Sequence, residues 1–173
     1  QLEELQNSSK DKSENVMVVD LVRNDLSKIC EQGSVEVSEL FGIYSYPQVH
    51  QMISTITGKL ANNTLFSEIL EATFPMGSMT GAPKKRVMET IDTLEPTRRG
   101  LYSGTVGYFN PDGDFDFNVV IRSIFYNSTT GNASYQVGGG ITIYSDPEKE
   151  YEECLLKAAA IKKVLNADNN TTE

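Results

Sequence analysis

The 173-residue chain is poor in the side chains that most often carry metal and redox chemistry, with one histidine and two cysteines. Cys30 and Cys154 stand far apart and fit neither a CxxC nor a finger spacing. His50 has no second histidine with which to share a zinc ion, which argues against a zinc hydrolase. Positive charge is also scarce. The 15 Lys and Arg against 24 Asp and Glu leave a net charge of −9, so neither nucleic acid nor an anionic membrane surface is expected as a partner. No apolar run approaches the ~20 residues that cross a bilayer, and no signal-peptide pattern opens the sequence. A cytoplasmic location with reduced cysteines is the expectation. The Asn-x-Ser/Thr triplets at Asn7, Asn62, Asn127, Asn132 and Asn169 then read as chance matches.

What the chain does have is concentrated in Pro75-Met76-Gly77-Ser78-Met79-Thr80-Gly81-Ala82-Pro83-Lys84-Lys85-Arg86. Two glycines and two prolines bracket hydroxyl residues, and Val87, Ile91 and Leu94 follow at helical spacing, so a loop delivers a helix from Pro83 to Leu94. Pro83 suits the first helical turn, and Thr80 or Gly81 can act as its cap. Free N–H groups there, approached closely over Gly81, form a place for a carboxylate or phosphate. A capped helix with nothing bound is the plain alternative.

Residues 1–28 predict a helix, although Val16 to Val19 alone could be a buried strand. On the helix, Asp11, Glu14, Val18, Leu21 and Asp25 form one stripe. Ser34 to Lys59 predicts strands, with a break at Tyr46-Pro47 and His50 beyond it; a lone strand histidine is either structural or a neutral-pH proton donor. Leu65 to Thr73 predicts a short helix. Tyr102 to Phe109, Phe115 to Tyr126 and Ala133 to Val137 predict strands of an antiparallel meander with a buried face, turning at Asn110 to Gly113 and Ser128 to Asn132. Gly138-Gly139-Gly140 interrupts the strand pattern before Ile141 and Ile143, which points to a bulge or to a ligand against the backbone. Ser145-Asp146-Pro147-Glu148 opens the last helix, with Tyr151, Cys154, Leu155, Ala158, Ile161 and Leu165 as its apolar stripe and a polar tail from Asn166. Glu150, Glu153 and Lys157 line one flank of that stripe, and a Glu153–Lys157 helix pair is their plain structural role.

Phe74 to Gly107 resembles the signature of the chorismate-utilising enzymes. The likeness extends to Asp11 to Leu26, Tyr46 to Gly58, Gly138 to Ile141 and Tyr151 to Glu153, in the family order. The fold it implies is α+β, with antiparallel sheets flanked by helices. Because the motif at Asp11 normally lies well inside the catalytic domain, and the chain opens on Gln1, residues 1–173 are expected to be the C-terminal part of that domain.

The resemblance also implies a site. Mg²⁺ would tie the ring carboxylate of chorismate to Glu14 and Glu153, with Glu150 and Asp11 in support; some members have Glu at the position of Asp11. Arg122, Tyr102 and the amides of Gly139 and Gly140 would hold a carboxylate, Lys157 would face the same site, and Thr80 and Gly81 would bound it. His50 would lie near the leaving hydroxyl. Within the family, Ser78 to Lys84 and Phe117 to Ser123 look more like the aminodeoxychorismate (para-aminobenzoate) synthase branch than the anthranilate branch. That branch aminates chorismate to 4-amino-4-deoxychorismate on the folate route, with ammonia from a glutamine amidotransferase partner and a nucleophilic lysine in an upstream Pro-Ile-Lys-Gly-Thr motif that this chain does not contain. Without its missing part the piece is expected to be inactive alone. Anthranilate synthase component I, an isochorismate or salicylate synthase, and a non-catalytic relative are the alternatives.

Overall fold

Ser8 decides where the main N-terminal helix begins. In the computed structural model, which describes residues 2–47 and 49–167, the expected single helix is broken there into α1 (Leu2–Asn7) and α2 (Ser9–Leu26). The Ser8 hydroxyl accepts the Asp11 amide at 3.2 Å, satisfying an amide of the first turn, with Asp11 at the positive and Arg23 at the negative end of the helix dipole. Val16 to Val19 are therefore helical. The stripe lies as the periodicity requires: Asp11, Glu14 and Val18 are half-buried, and Leu21 and Asp25 are buried.

The hairpin of β1 (Glu36–Tyr46) and β2 (Val49–Thr57) pairs antiparallel, with register shifts between Val37 and Gly42. Phe41 sits in this irregular stretch at a φ of 59°, where the backbone bends and an amide leaves the ladder. That amide donates to Ser54 Oγ at 3.0 Å, and Ser54 in turn donates to Asn15 Oδ1 of α2 at 2.6 Å. Lys12 lies 6.0 Å from the centroid of the Phe41 ring. One bulge thus docks α2, next to Glu14, onto the strand that carries His50.

The short helix α3 (Phe66–Thr73) begins one residue later than expected, with the Leu65 amide donating to Glu68 Oε2 at 2.7 Å. A single 3₁₀ turn, Gly77–Met79, leads to α4 (Lys84–Leu94). The capping expectation at Thr80 or Gly81 does not hold. Pro83 occupies the cap position without a side-chain hydrogen bond, while the Thr80 hydroxyl turns back to the carbonyls of Met76, at 3.1 Å, and Gly77, at 3.4 Å. No residue of α4 is buried.

The chain divides after Pro96 into two units. In the second, the expected meander is instead two separate ribbons: β3 (Thr105–Phe109) with β4 (Phe115–Val119), and β5 (Phe125–Asn127) with β6 (Asn132–Ser134). The strand predicted from Phe115 to Tyr126 is interrupted after Val119, where Arg122 takes a φ of 50° that a strand cannot accommodate. Tyr102 lies in a turn ahead of β3. The strand predicted from Ala133 to Val137 ends at Ser134, and the chain from Tyr135 through Gly138, Gly139 and Gly140 is irregular. The predicted buried face does not form. Val106 and Tyr108 are exposed on one face of the first ribbon, and on the other the exposed Phe109 and Phe115 cluster with half-buried Phe117 at 5.4–5.9 Å between centroids.

The last helix, α5 (Pro147–Ala167), starts as read: Asp146 Oδ1 accepts the Lys149 amide at 3.1 Å. Ala158 and Ile161 of its apolar stripe are buried, whereas Tyr151 and Leu155 are exposed. The tail read from Asn166 falls largely beyond residue 167, and Asn169 lies outside the described residues.

Gly77 is a point of close approach between the signature loop and α2, since a Cβ there would stand 2.8 Å from Leu21 Cβ. Gly77→Ala in the intact protein is therefore expected to lower stability by about 1–3 kcal/mol, as overpacking does. Urea denaturation checks this, and unchanged stability would contradict the packing.

Candidate functional site

On the first unit, Asp11 and Glu14 project from adjacent turns of α2. Glu14 is one-third exposed and stands 3.8 Å from Lys10, a surface pair. On the neighbouring strand His50 pairs across the hairpin with Ser45, its Nδ1 2.8 Å from Ser45 Oγ, with proton direction set by the tautomer. Thr80 is half-buried and spends its hydroxyl proton on the backbone, so its oxygen is left only as an acceptor. Gly81 is buried at a φ of 147°, a conformation open to glycine, and a Cβ there would stand 3.3 Å from the Val87 methyl groups.

On the second unit the glycine run gathers most of what the sequence singled out. Gly138 has the Tyr102 hydroxyl 3.2 Å from where a Cβ would be, and its carbonyl accepts Lys157 Nζ at 3.0 Å. Lys157 also pairs with Glu153 Oε1 at 2.7 Å, so the helix pair that was the plain alternative does form. A Cβ on Gly139 would meet Glu150 Oε2 at 3.0 Å, and Glu150 is buried. The glycines therefore serve close approach: side chains here would push the Tyr102 hydroxyl and the Glu150 carboxylate away. Backbone bonds from Ser103 N to Val120 O, 3.0 Å, and Val120 N to Gly104 O, 2.9 Å, hold the Tyr102 turn against the chain two residues before Arg122. Arg122 is exposed. Gly140 has open space around it.

Two residues were not singled out by sequence reasoning. Asp25 was noticed only as part of a stripe, and Lys84 only as part of a motif; in the structure Lys84 Nζ donates to the buried Asp25 carboxylate, which also accepts Lys28 Nζ at 2.9 Å. An Asp on the buried stripe and a Lys at a helix start were visible signals, but 59 residues of separation hid their pairing. Burial pushes the Cys30 thiol up, which weighs against a thiolate nucleophile there. A shallow depression lined by Lys28, Ile29, Ala61, Thr64 and Ala72 contains none of the expected site residues.

Among the described residues no group of three or more His, Cys, Asp or Glu side chains gathers to hold a metal. What α2 and α5 each offer is a pair of carboxylates one turn apart, Asp11 with Glu14 and Glu150 with Glu153. That oxygen-only donor set fits Mg²⁺, which takes one or two protein carboxylates and completes its shell with water and substrate oxygens.

Helices carrying paired carboxylates, antiparallel ribbons and a glycine-lined cluster of polar side chains suit a protein that binds a small anionic molecule. The family model for chorismate binding enzymes matches residues 1–163, and the chain belongs to that family. It is 48% identical over 157 residues to a chloroplastic aminodeoxychorismate synthase of Arabidopsis thaliana, covering 91% of this chain and 17% of that protein. It is 44% identical over 170 residues to aminodeoxychorismate synthase component 1 of Bacillus subtilis, covering 98% of this chain and 36% of that one. Anthranilate synthase component 1 of Synechocystis is 45% identical over 168 residues, covering 95% and 33%. Among solved structures, anthranilate synthase component I of Streptococcus pneumoniae superposes with a TM-score of 0.79 at 35% identity, covering 90% of this chain and 35% of that chain. The chain thus spans little more than a third, or less, of these relatives. The fold is shared with that anthranilate synthase component I, and the α+β expectation holds.

On the reading that Glu14 and Glu153 would hold Mg²⁺, Glu14→Gln and Glu153→Gln would remove a ligand charge while keeping side-chain shape. In the intact protein each is expected to abolish Mg²⁺-dependent turnover of chorismate with little loss of stability. Steady-state assays with Mg²⁺ limiting check this, and a parental rate in either variant would remove that residue from the metal's ligands.

Proposed function

We propose that this chain is the C-terminal part of the catalytic domain of a Mg²⁺-dependent chorismate-aminating enzyme, forming 4-amino-4-deoxychorismate for para-aminobenzoate and folate. The observation that carries the reading is the assembly around the glycine run, where Tyr102, Lys157 and Glu150 crowd the backbone and Glu153 pairs with Lys157. A cation and amides beside an acid pair suit a dicarboxylate whose one carboxylate is bound through a metal. The greater likeness to aminodeoxychorismate synthases than to the anthranilate branch in the strings Ser78 to Lys84 and Phe117 to Ser123 supports the choice of product.

In this reading Glu14 and Glu153 are the main ligands of the ion, and Glu150 and Asp11 support them. A Mg²⁺ ion held by these carboxylates would supply Lewis-acid polarisation of the ring carboxylate. Arg122 grips a second carboxylate with its bidentate fork, steadied by Tyr102 and the amides of Gly139 and Gly140. Lys157 is held by Glu153 and the Gly138 carbonyl, so its charge stays fixed at the edge of the glycine run. Thr80 and Gly81 close another side. His50, oriented by Ser45, gives a proton to the departing hydroxyl, because an imidazole is the side chain that exchanges protons most readily near neutral pH. A glutamine amidotransferase, as subunit or fused domain, supplies ammonia, and an upstream lysine forms the ring adduct that ammonia displaces. A cytoplasmic location belongs to the same proposal. Among the described residues no helix is long and apolar enough to cross a membrane.

Incubating the intact protein with chorismate, Mg²⁺ and an ammonium salt bypasses the amidotransferase. With a lyase that aromatises the intermediate, para-aminobenzoate is the expected product. Anthranilate formed directly would move the protein to the other branch, and isochorismate or salicylate would overturn amination altogether.

A further inference from the structure

The signature loop is pinned to α2 at two successive turns of one helix face. At one end Gly77 lies so close over Leu21 that a Cβ would come within 2.8 Å of it; at the other, Lys84 Nζ reaches the buried Asp25 carboxylate, four residues further along α2. Lys84 is only 18% exposed, so this is no surface pair. The intervening chain is braced from within. The Met79 amide donates to the Met76 carbonyl at 3.0 Å, the Thr80 amide to the Gly77 carbonyl at 3.2 Å, and Gly81 is buried against Val87. Glu14 stands on the same stripe of α2, about 10 Å before Leu21 at roughly 1.5 Å per residue.

We propose that Asp25 and Lys84 form a positioning latch that fixes the Thr80–Gly81 wall at a set height on α2 relative to Glu14, and thereby sets how substrate is seated. Neither residue touches substrate. Lys28 completes the neutralisation of Asp25 from the solvent side, which leaves Lys84 to carry the mechanical link between loop and helix. A buried ion pair is weak evidence for stability as such, since apolar replacements can match it, and geometric specificity is the better account of its retention. The inference rests on the reading that Thr80 and Gly81 bound the substrate site.

The test uses the intact protein with Lys84→Met, Lys84→Arg and the double variant Asp25→Asn/Lys84→Met, in which Lys28 still has an acceptor at position 25. The double variant guards against a single substitution that fails to fold by stranding a buried charge. Two readouts are taken: hydrogen exchange of the amides of residues 77–82, and kcat and KM for chorismate at saturating Mg²⁺, with the Mg²⁺ dependence recorded separately. Faster exchange confined to the loop, a rise in KM of about tenfold or more, unchanged Mg²⁺ half-saturation and recovery toward parental values in Lys84→Arg are expected. Unchanged loop exchange would overturn the latch. Loosened exchange with parental kcat and KM, or a fall in kcat alone matching a lost folded fraction, would overturn its role in seating substrate. A parental protein that does not consume chorismate would sink the proposed function instead, while the exchange measurement would still decide whether the latch holds the loop.

Discussion

A carboxylate buried near the end of a helix must be neutralised, and Asp25 obtains its partners from two directions: Lys28 one turn ahead and Lys84 from the start of another helix. Because Lys84 follows directly on the signature loop, the electrostatic requirement of one residue determines where that loop lies. The same face of α2 carries Leu21, against which Gly77 packs with no space for a side chain, and the one-third exposed Glu14. A further constraint acts from the other side, where the bulge at Phe41 frees an amide that is satisfied through Ser54, whose hydroxyl then grips Asn15. Helix, hairpin and loop are thus held together by polar groups that would be costly to leave unpaired.

The second unit is organised by absence of side chains. Glycines in irregular chain let a phenol, an ammonium and a buried carboxylate crowd the backbone, an arrangement with little room for Cβ atoms at Gly138 or Gly139. Its two-stranded ribbons leave apolar groups outside, as does the turn beyond the glycine run, with Ile143 at 92% and Tyr144 at 95% exposure. Ribbons of that size draw little stability from themselves. Large apolar groups so exposed accord with the proposal that this chain is one part of a longer catalytic domain.

The helices were legible in the sequence because their signals are local. The α2 stripe, the Asp146 cap and the apolar face through Ala158 and Ile161 all follow from spacing within a few residues. Strands of the first hairpin were legible for the same reason. The second unit was read less well: alternation from Phe115 to Tyr126 looks continuous, but Arg122 adopts a left-handed conformation that no pattern of apolar residues announces. Thr80 looked like a cap because its type suits one, yet its hydroxyl finds carbonyls behind it instead. Among site residues, the grouping of Glu150, Glu153 and Lys157 was visible as helical spacing, and the Gly139 approach to Glu150 was half-visible as an unexplained glycine run. The Asp25–Lys84 contact was not, since it joins residues distant in the chain and neither has a local signal for the other.

Carboxylates of α2 and α5 are proposed to serve a single ion that carries substrate, and the proposed amination chemistry depends on that ion. A crystal structure of the intact protein with Mg²⁺ and a non-reacting chorismate analogue tests it most directly. The expected result has oxygens of Glu14 and Glu153 either bound to one octahedral ion at about 2.0–2.1 Å or hydrogen-bonded to a water that is so bound, and an analogue carboxylate completing the shell. An ion held by one helix alone, or an analogue seated away from Gly138 to Gly140, would contradict it.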